Sequence, residues 1–272
     1  MKYFLYQFFI VKFFRMPDVF FHILFQVVYP VYKVLHTQRA YGRVQQHLIR
    51  TGIKNVSAKD VFKGIYYAGI DSYRLLLQIP KVTNKVIFRN EDVIKEALAK
   101  GPVAAISIHQ GSFELLHRSL CRYSKNVHVI TNPLKNKKLT LLLNKFRAHP
   151  HLYQYTPTQL PSLIKNFLKK QDGVLAMLFD QAQNPTGVKV NLFNIPSTLY
   201  LQIPLRVNQM GAGIVTFHTF REKEQIVVQF ETYYPPKGNP QKMADSIATE
   251  VECWIKKHPD QWTWNYHKNF TA

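Results

Sequence analysis

Hydrophobic residues along this chain change their spacing three times, and each change predicts a different kind of element. The first 35 positions are almost continuously aromatic or aliphatic. Phe4 to Phe14 is one run, cut by Lys12 and closed by Arg15, Met16 and Pro17; Val19 to Leu35 is a second, carrying His22, Gln26, Pro30 and Lys33. Neither reaches the roughly 20 uninterrupted apolar residues of a simple membrane span. No small-residue cleavage site follows, so a removable signal peptide is not expected. Tyr and Phe interleaved with Lys and Arg suit a helix lying in a membrane interface, or a tilted anchor. A buried core helix has the same composition, and the flanking positive charges favour the membrane. Residues 1–36 are therefore read as a membrane-associated helical segment and 37–272 as the main domain.

From Thr37 the spacing becomes helical. Tyr41, Val44, Leu48 and Ile49 lie on one face up to Gly52, and Val61, Phe62, Ile65, Tyr66, Ile70, Tyr73 and Leu77 lie on one face of a helix over Ala58 to Ile79. After a short strand at Val86 to Phe88 and a helix from Glu91 to Lys100 closed by Gly101, unbroken apolar runs take over. Val103 to Ile108, Val127 to Thr131 and Val174 to Phe179 read as buried strands. Between them lie helical patterns at Phe113 to Leu120, in a helix that follows the Asn132–Lys138 stretch, where Pro133 sets a turn, and runs to Arg147, and from Leu160 to Lys170. This alternation predicts an α/β fold with a central, mostly parallel sheet flanked by helices. Further on, Val188, Val190 and Leu192 alternate as a strand leading into a turn at Phe193 to Thr198, and Thr198 to Met210 reads as a helix. Gly211 to Phe220 and Gln225 to Glu231 read as paired strands, and Met243 to Lys257 as a helix. The aromatic tail, Pro259 to Lys268, is expected to fold against the sheet or the bilayer.

Charge narrows the partners. The formal net charge is +20, which points to something anionic: lipid headgroups, a phosphorylated substrate, an acidic carrier protein or nucleic acid. No aromatic RNA-recognition motif is present, so nucleic acid binding would rest on charge alone and is not expected. Cys121 and Cys253 are far apart, which argues against a disulfide framework and for a reducing compartment. His149-Pro150-His151 is the one tight histidine pair and has no further ligands near it in sequence, so it reads as a turn rather than a metal site. There is no Walker loop or Rossmann glycine cluster.

The candidate chemistry sits where apolar strands end in polar residues. His109 closes the Val103 run, at the carboxyl edge where open α/β sheets place ligands. Gly111 permits a turn, Ser112 is a good helix cap, and Glu114 lies five positions on, close enough for a turn to fold its carboxylate back to the imidazole. A carboxylate on Nδ1–H would leave Nε2 to take a proton from a substrate hydroxyl. No serine or cysteine nucleophile is needed if that hydroxyl attacks an activated acyl group directly. Asp180-Gln181 closes the third strand, and Asp180 is either a second partner for His109 or the cap of a turn. Lys135, Lys137, Lys138, Lys145 and Arg147 make a basic element just after the second strand, either a solvated face or a hold on an anionic substrate. Arg147 is suited to bidentate phosphate binding.

Taken together, these pieces resemble a known family. His109 to Glu114 is similar to the His-x4-Asp/Glu signature of glycerolipid-type acyltransferases. The Asn132-Pro133 turn with its basic helix, Asp180-Gln181 with Gly187 and the Val188 strand, and the closing Pro259-Asp260-Gln261-Trp262-x-Trp264 narrow the likeness to the bacterial lipid A late (lauroyl/myristoyl) acyltransferases. The resemblance implies transfer of a fatty acyl chain from acyl carrier protein, or from a coenzyme A thioester, to a hydroxyl or hydroxyacyl group of a lipid A precursor. It places the enzyme at the cytoplasmic face of the inner membrane, with no resident cofactor or metal. By that likeness His109 is the general base and Glu114 orients it, although in related mannolipid enzymes the acid at the place of Asp180 is the one paired with the histidine, which leaves the two acids open to exchanged roles; Asn132, Lys135, Arg147 and Gln181 contact substrate. The family's Arg-rich start to the post-proline helix is Lys-rich here, and its terminal His-Arg-Arg appears as His267-Lys268-Asn269. Acylation of another glycolipid, such as a phosphatidylinositol mannoside, and non-catalytic lipid binding on the same fold remain open alternatives.

Overall fold

The computed structural model describes residues 2–36, 40–133, 135–181 and 187–267. Thr37, Leu134, Lys268 and Asn269, which belong to motifs above, lie outside the described residues. Two apolar helices come first, α1 (Lys2–Phe14) and α2 (Asp18–His36), separated where Arg15, Met16 and Pro17 interrupt the pattern. The helices α3 (Gly42–Arg50), α4 (Ala58–Leu76) and α5 (Pro80–Thr83) lead into an alternating order: β1 (Val86–Arg89), α6 (Glu91–Lys100), β2 (Val103–Ser107), α7 (Leu116–Leu120), β3 (Asn126–Ile130), α8 (Lys137–Arg147), β4 (Leu152–Tyr155), α9 (Leu160–Leu168), β5 (Gly173–Leu178). Then come β6 (Val188–Leu192), β7 (Ile195–Leu199), α10 (Gln202–Gln209), β8 (Gly213–Glu222), β9 (Gln225–Tyr234) and α11 (Pro240–Lys257).

Seven strands form one sheet in the order β1-β9-β8-β2-β5-β3-β4. All neighbours are parallel except β8 and β9, which turn back on each other as a hairpin. The sheet is thus the mostly parallel one that the β–helix alternation predicts. β2 is central and buried along its whole length. Val103 and Ala105 face one core layer, with α6 and α7; Ala104, Ile106 and Ile108 face the other, with α3, α4, α9 and α11. Because β2 and β5 are parallel with Ser107 opposite Leu178, continuing each strand two residues brings His109 and Asp180 out side by side. That register, set by two buried apolar runs, is what makes the site.

Several expectations need correction. The stretch expected to turn at 193–198 and become helical at Thr198 is instead a hairpin, β6 with β7, and the helix begins only at Gln202. Phe193 and Asn194 both take positive φ, 56° and 59°, the two-residue hairpin turn whose twist matches the strands. β4 was not expected from the sequence, because Tyr153, Gln154 and Tyr155 carry no apolar run. Ser112 makes no cap hydrogen bond, and the Phe113 helix is a 3-10 turn (Phe113–Leu115) before the short α7.

The ends of the chain bracket the sheet. α2 docks on α4 through Phe21 and Phe25, both buried, with Tyr66 Oη donating to the Phe21 carbonyl at 3.1 Å. Arg74, buried on α4, gathers the α1–α2 junction by binding the Phe14 and Met16 carbonyls and Asp18. The aromatic tail folds into the protein: Trp262 and Trp264 are fully buried.

Candidate active site

His109 is held by Asp180 at two points. The backbone N–H of His109 donates to Oδ2 at 3.0 Å and the ring Nδ1 lies 2.7 Å from Oδ1. A carboxylate accepts only, so Nδ1 carries the proton and Nε2 is the basic nitrogen. Asp180 is buried, and burial by itself would raise its pKa; the charge and hydrogen bond of His109, with His267 nearby, outweigh it and hold the carboxyl well below the usual range. Two further groups come from the tail: Trp262 Nε1 donates to Oδ2 at 2.9 Å, and His267 Nε2 stands 3.3 Å from the same oxygen.

The loop carrying His109 is pinned from behind. Gln110 turns its side chain into the core, where Nε2 donates to the Trp254 carbonyl at 3.0 Å and Oε1 meets His218 Nδ1 at 2.9 Å. Thr219 Oγ1 donates to the Gln110 carbonyl at 2.8 Å. The tail backbone adds two bonds, from Thr263 N to the His109 carbonyl at 3.2 Å and from Gly111 N to the Gln261 carbonyl at 2.9 Å. Gly111 has φ of 55°, and a Cβ there would lie 2.5 Å from the Thr219 carbonyl oxygen. Only glycine suits both the left-handed backbone and that approach.

His109 opens into a cavity of about 610 Å³. Its walls are apolar where β3, β5 and α7 meet: Leu116, Val129, Ile130, Ala176, Met177 and Leu178. Its rim is polar. Asn132 at the end of β3 and Gln181 at the end of β5 both line it, whereas Lys135 is exposed outside it. His117 is part of the lining, and burial pushes its pKa down to about 4, so it is neutral at neutral pH.

Glu114 does not orient His109. It faces Arg147 across the cavity rim, with Arg147 Nε to Oε2 at 2.9 Å and Nη2 to Oε1 at 2.5 Å, a two-point ion pair. The 3-10 turn at Phe113–Leu115 directs the carboxylate to α8, while the Phe113 ring packs edge-on against His109 at 4.8 Å. The structure therefore brings His109 and Asp180 together, sets Glu114 with Arg147 as a separate pair, and puts both pairs on one cavity with Asn132 and Gln181. Trp262 and His267 were not singled out as site residues. The sequence signals for them were the dense aromatic tail and their places in the closing Pro259–Trp264 and His267-Lys268-Asn269 stretches of the family resemblance. The arrangement sets a histidine with an ionised, buried partner beside a chamber with apolar walls, whose lining includes the Glu114-paired Arg147 guanidinium.

Residues 75–271 match the family described as bacterial lipid A biosynthesis acyltransferase. Comparison with curated proteins gives no match.

Proposed function

This chain belongs to the bacterial lipid A biosynthesis acyltransferase family and is an acyltransferase, and from that premise we propose that it moves a fatty acyl chain from an acyl carrier protein or coenzyme A thioester to a hydroxyl of a lipid A precursor. The observation that carries the reading is the His109–Asp180 pair at the mouth of an apolar cavity. In this reading Nε2 takes the proton of the acceptor hydroxyl as its oxygen attacks the thioester carbonyl. The new C–O bond forms, the C–S bond breaks, and the leaving sulfur takes the proton back from the imidazolium. Asp180, kept ionised, stabilises the imidazolium while it exists. The walls from Leu116 to Leu178 would receive the acyl chain, and Asn132, Gln181 and Arg147 would hold polar or phosphate groups at the rim.

The same reading places the enzyme on an anionic membrane, at the cytoplasmic face of the inner membrane. α2 is long and apolar enough to cross a bilayer over Asp18–Leu35, with mean hydropathy 1.3. Its Phe21–Phe25 side is committed to α4, while Val19, Ile23, Val27, Val31 and Leu35, at helical spacing, are all exposed. Such a stripe on a docked helix suits lying along a lipid surface. α8 supports this at the cavity: Leu141 is 64% exposed on a face shared, by helical spacing, with Lys137, Lys138 and Lys145.

The test offers labelled acyl thioesters and a tetra-acylated lipid A precursor to membranes holding the wild type or His109→Ala. Acylated product from the wild type, reduced about 100-fold or more in the variant, is the expected result. Equal product from both would remove His109 as the base. Product only with another glycolipid would change the acceptor and keep the chemistry.

A further inference from the structure

The tail that closes the chain reaches the catalytic carboxylate at a residue the mechanism above leaves idle. We propose that His267 is a positioning residue of the His109–Asp180 pair: it donates its Nε2–H to Asp180 Oδ2 and, with the Trp262 indole N–H, fixes the carboxylate so that Oδ1 serves His109 alone.

The geometry supports this from several sides. His267 is buried, and its Nε2 stands 3.3 Å from Oδ2, within ion-pair distance, while making no well-formed hydrogen bond to any group among the described residues. A buried ring nitrogen facing a carboxylate is stable only as a donor. The ring stacks on Trp262, centroids 3.9 Å apart and planes 24° from parallel, so one aromatic pair presents two N–H groups to one oxygen. The segment is held from its other side by α3: His47 Nδ1 lies 3.0 Å from the Trp264 carbonyl oxygen, and Arg43 Nη1 donates to the Asn265 carbonyl at 3.0 Å. Oδ2 accepts from the His109 backbone N–H and the Trp262 indole, with His267 Nε2 poised 3.3 Å away as a third donor, and Oδ1 has the imidazole. Rotation of the carboxylate would break all of these together, so it is locked before substrate arrives.

The electrostatic consequence has a definite sign. Donors on Oδ2 draw charge away from Oδ1 and limit how strongly Asp180 stabilises the His109 imidazolium. Removing the His267 N–H makes His109 more basic and less well aimed. The other titratable groups around the pair include His47 and, in the cavity lining, His117, each of whose pKa values burial pushes down to about 4, with Arg43 and Arg50 on the same helix as His47. Glu114 and Arg147 close the far rim as a mutually paired unit.

This inference rests on the base role assigned to His109, and its first readout needs no substrate. The titration of His109 is followed by NMR of the full-length protein labelled with 15N-histidine, the signal being identified by its loss in His109→Gln. His267→Phe keeps a ring to stack on Trp262 but has no N–H; its His109 midpoint should rise by more than about half a pH unit. His267→Gln, which keeps an amide N–H, should leave the midpoint near that of the wild type. Trp262→Phe should move it the same way as His267→Phe, and His267→Leu repeats the test if the Phe variant does not fold. In the acyl-transfer assay His267→Phe should lower kcat by about 10- to 100-fold, the worth of a hydrogen bond to a charged group, with KM nearly unchanged and the acid limb of the pH profile moved up. An unmoved midpoint in His267→Phe, or equal shifts in the Phe and Gln variants, overturns the proposal. A shifted midpoint in a protein that transfers no acyl group would uphold the positioning role and refute the reaction instead.

Discussion

Asp180 accepts hydrogen bonds on both of its oxygens, and one of the donors, the His109 imidazole, can change tautomer. In Asp180→Asn the amide oxygen keeps the Trp262 and His109 backbone donors, and the NH2 group faces His109 Nδ1, which accepts once the ring proton moves to Nε2. The variant should lose about 10²- to 10⁴-fold in kcat with its fold intact; wild-type turnover would mean that Asp180 does not set the tautomer of His109. Gly111→Ala tests the loop. Left-handed backbone and contact with the Thr219 carbonyl should cost about 1–3 kcal/mol, read as a lower denaturant midpoint, and should displace His109 enough to lower kcat. The sequence pointed to His109 because a β-branched run stops there abruptly. Its partner was harder to read. Glu114 is five residues away and Asp180 is 71, and local spacing favoured the nearer acid. Only the pairing of Ser107 with Leu178 brings the distant one alongside.

At the scale of elements, the buried strands β2, β3 and β5 stood out because parallel strands covered on both faces have no polar positions to blur them. What did not stand out depends on partners far along the chain. β4 is a four-residue edge strand with a single buried aliphatic residue, Leu152, and is held by its pairing with β3. The β6–β7 hairpin turns at Phe193-Asn194, a pair that does not advertise positive φ as Asn-Gly would. α2 had three readings (span, interfacial helix or core helix), and its packing on α4 separates two faces that can be tested apart. Ile23→Glu with Val27→Glu changes only exposed positions. It should leave the melting temperature unchanged and weaken binding to anionic vesicles by at least tenfold, since each side chain transferred into lipid is worth about 1.5–3 kcal/mol. Phe25→Glu, on the buried face, should instead destabilise the fold. Unchanged vesicle binding by the double variant would exclude the outer stripe as a lipid contact.

For the whole molecule, the basic charge and the buried histidines act together as pH falls. Burial pushes His47, His117, His128 and His258 each down to about 4 from an ordinary 6.5. Between those values the unfolded chain takes up protons that the folded chain refuses, so stability must decrease as pH drops from 6.5 towards 4. Asp180 works in the same direction but at lower pH: its folded pKa lies below the carboxylate range, so its contribution is present above about 4 and is lost only beneath that. The two causes are therefore separated along the pH axis. A chain already at +20 gains further repulsion with every proton it binds. Thermal unfolding of the purified protein at pH 8, 6.5, 5.5 and 4.5 should show little change over the first step and a steep, accelerating fall in Tm over the others. His128→Phe removes one of these histidines where it stacks on Tyr153 with ring centroids 5.2 Å apart, and should flatten the fall without disturbing the catalytic pair. A Tm independent of pH down to 4.5 would show that these imidazoles reach water and protons in the folded protein. An equally steep fall in His128→Phe would move the cause from that site to the general positive charge.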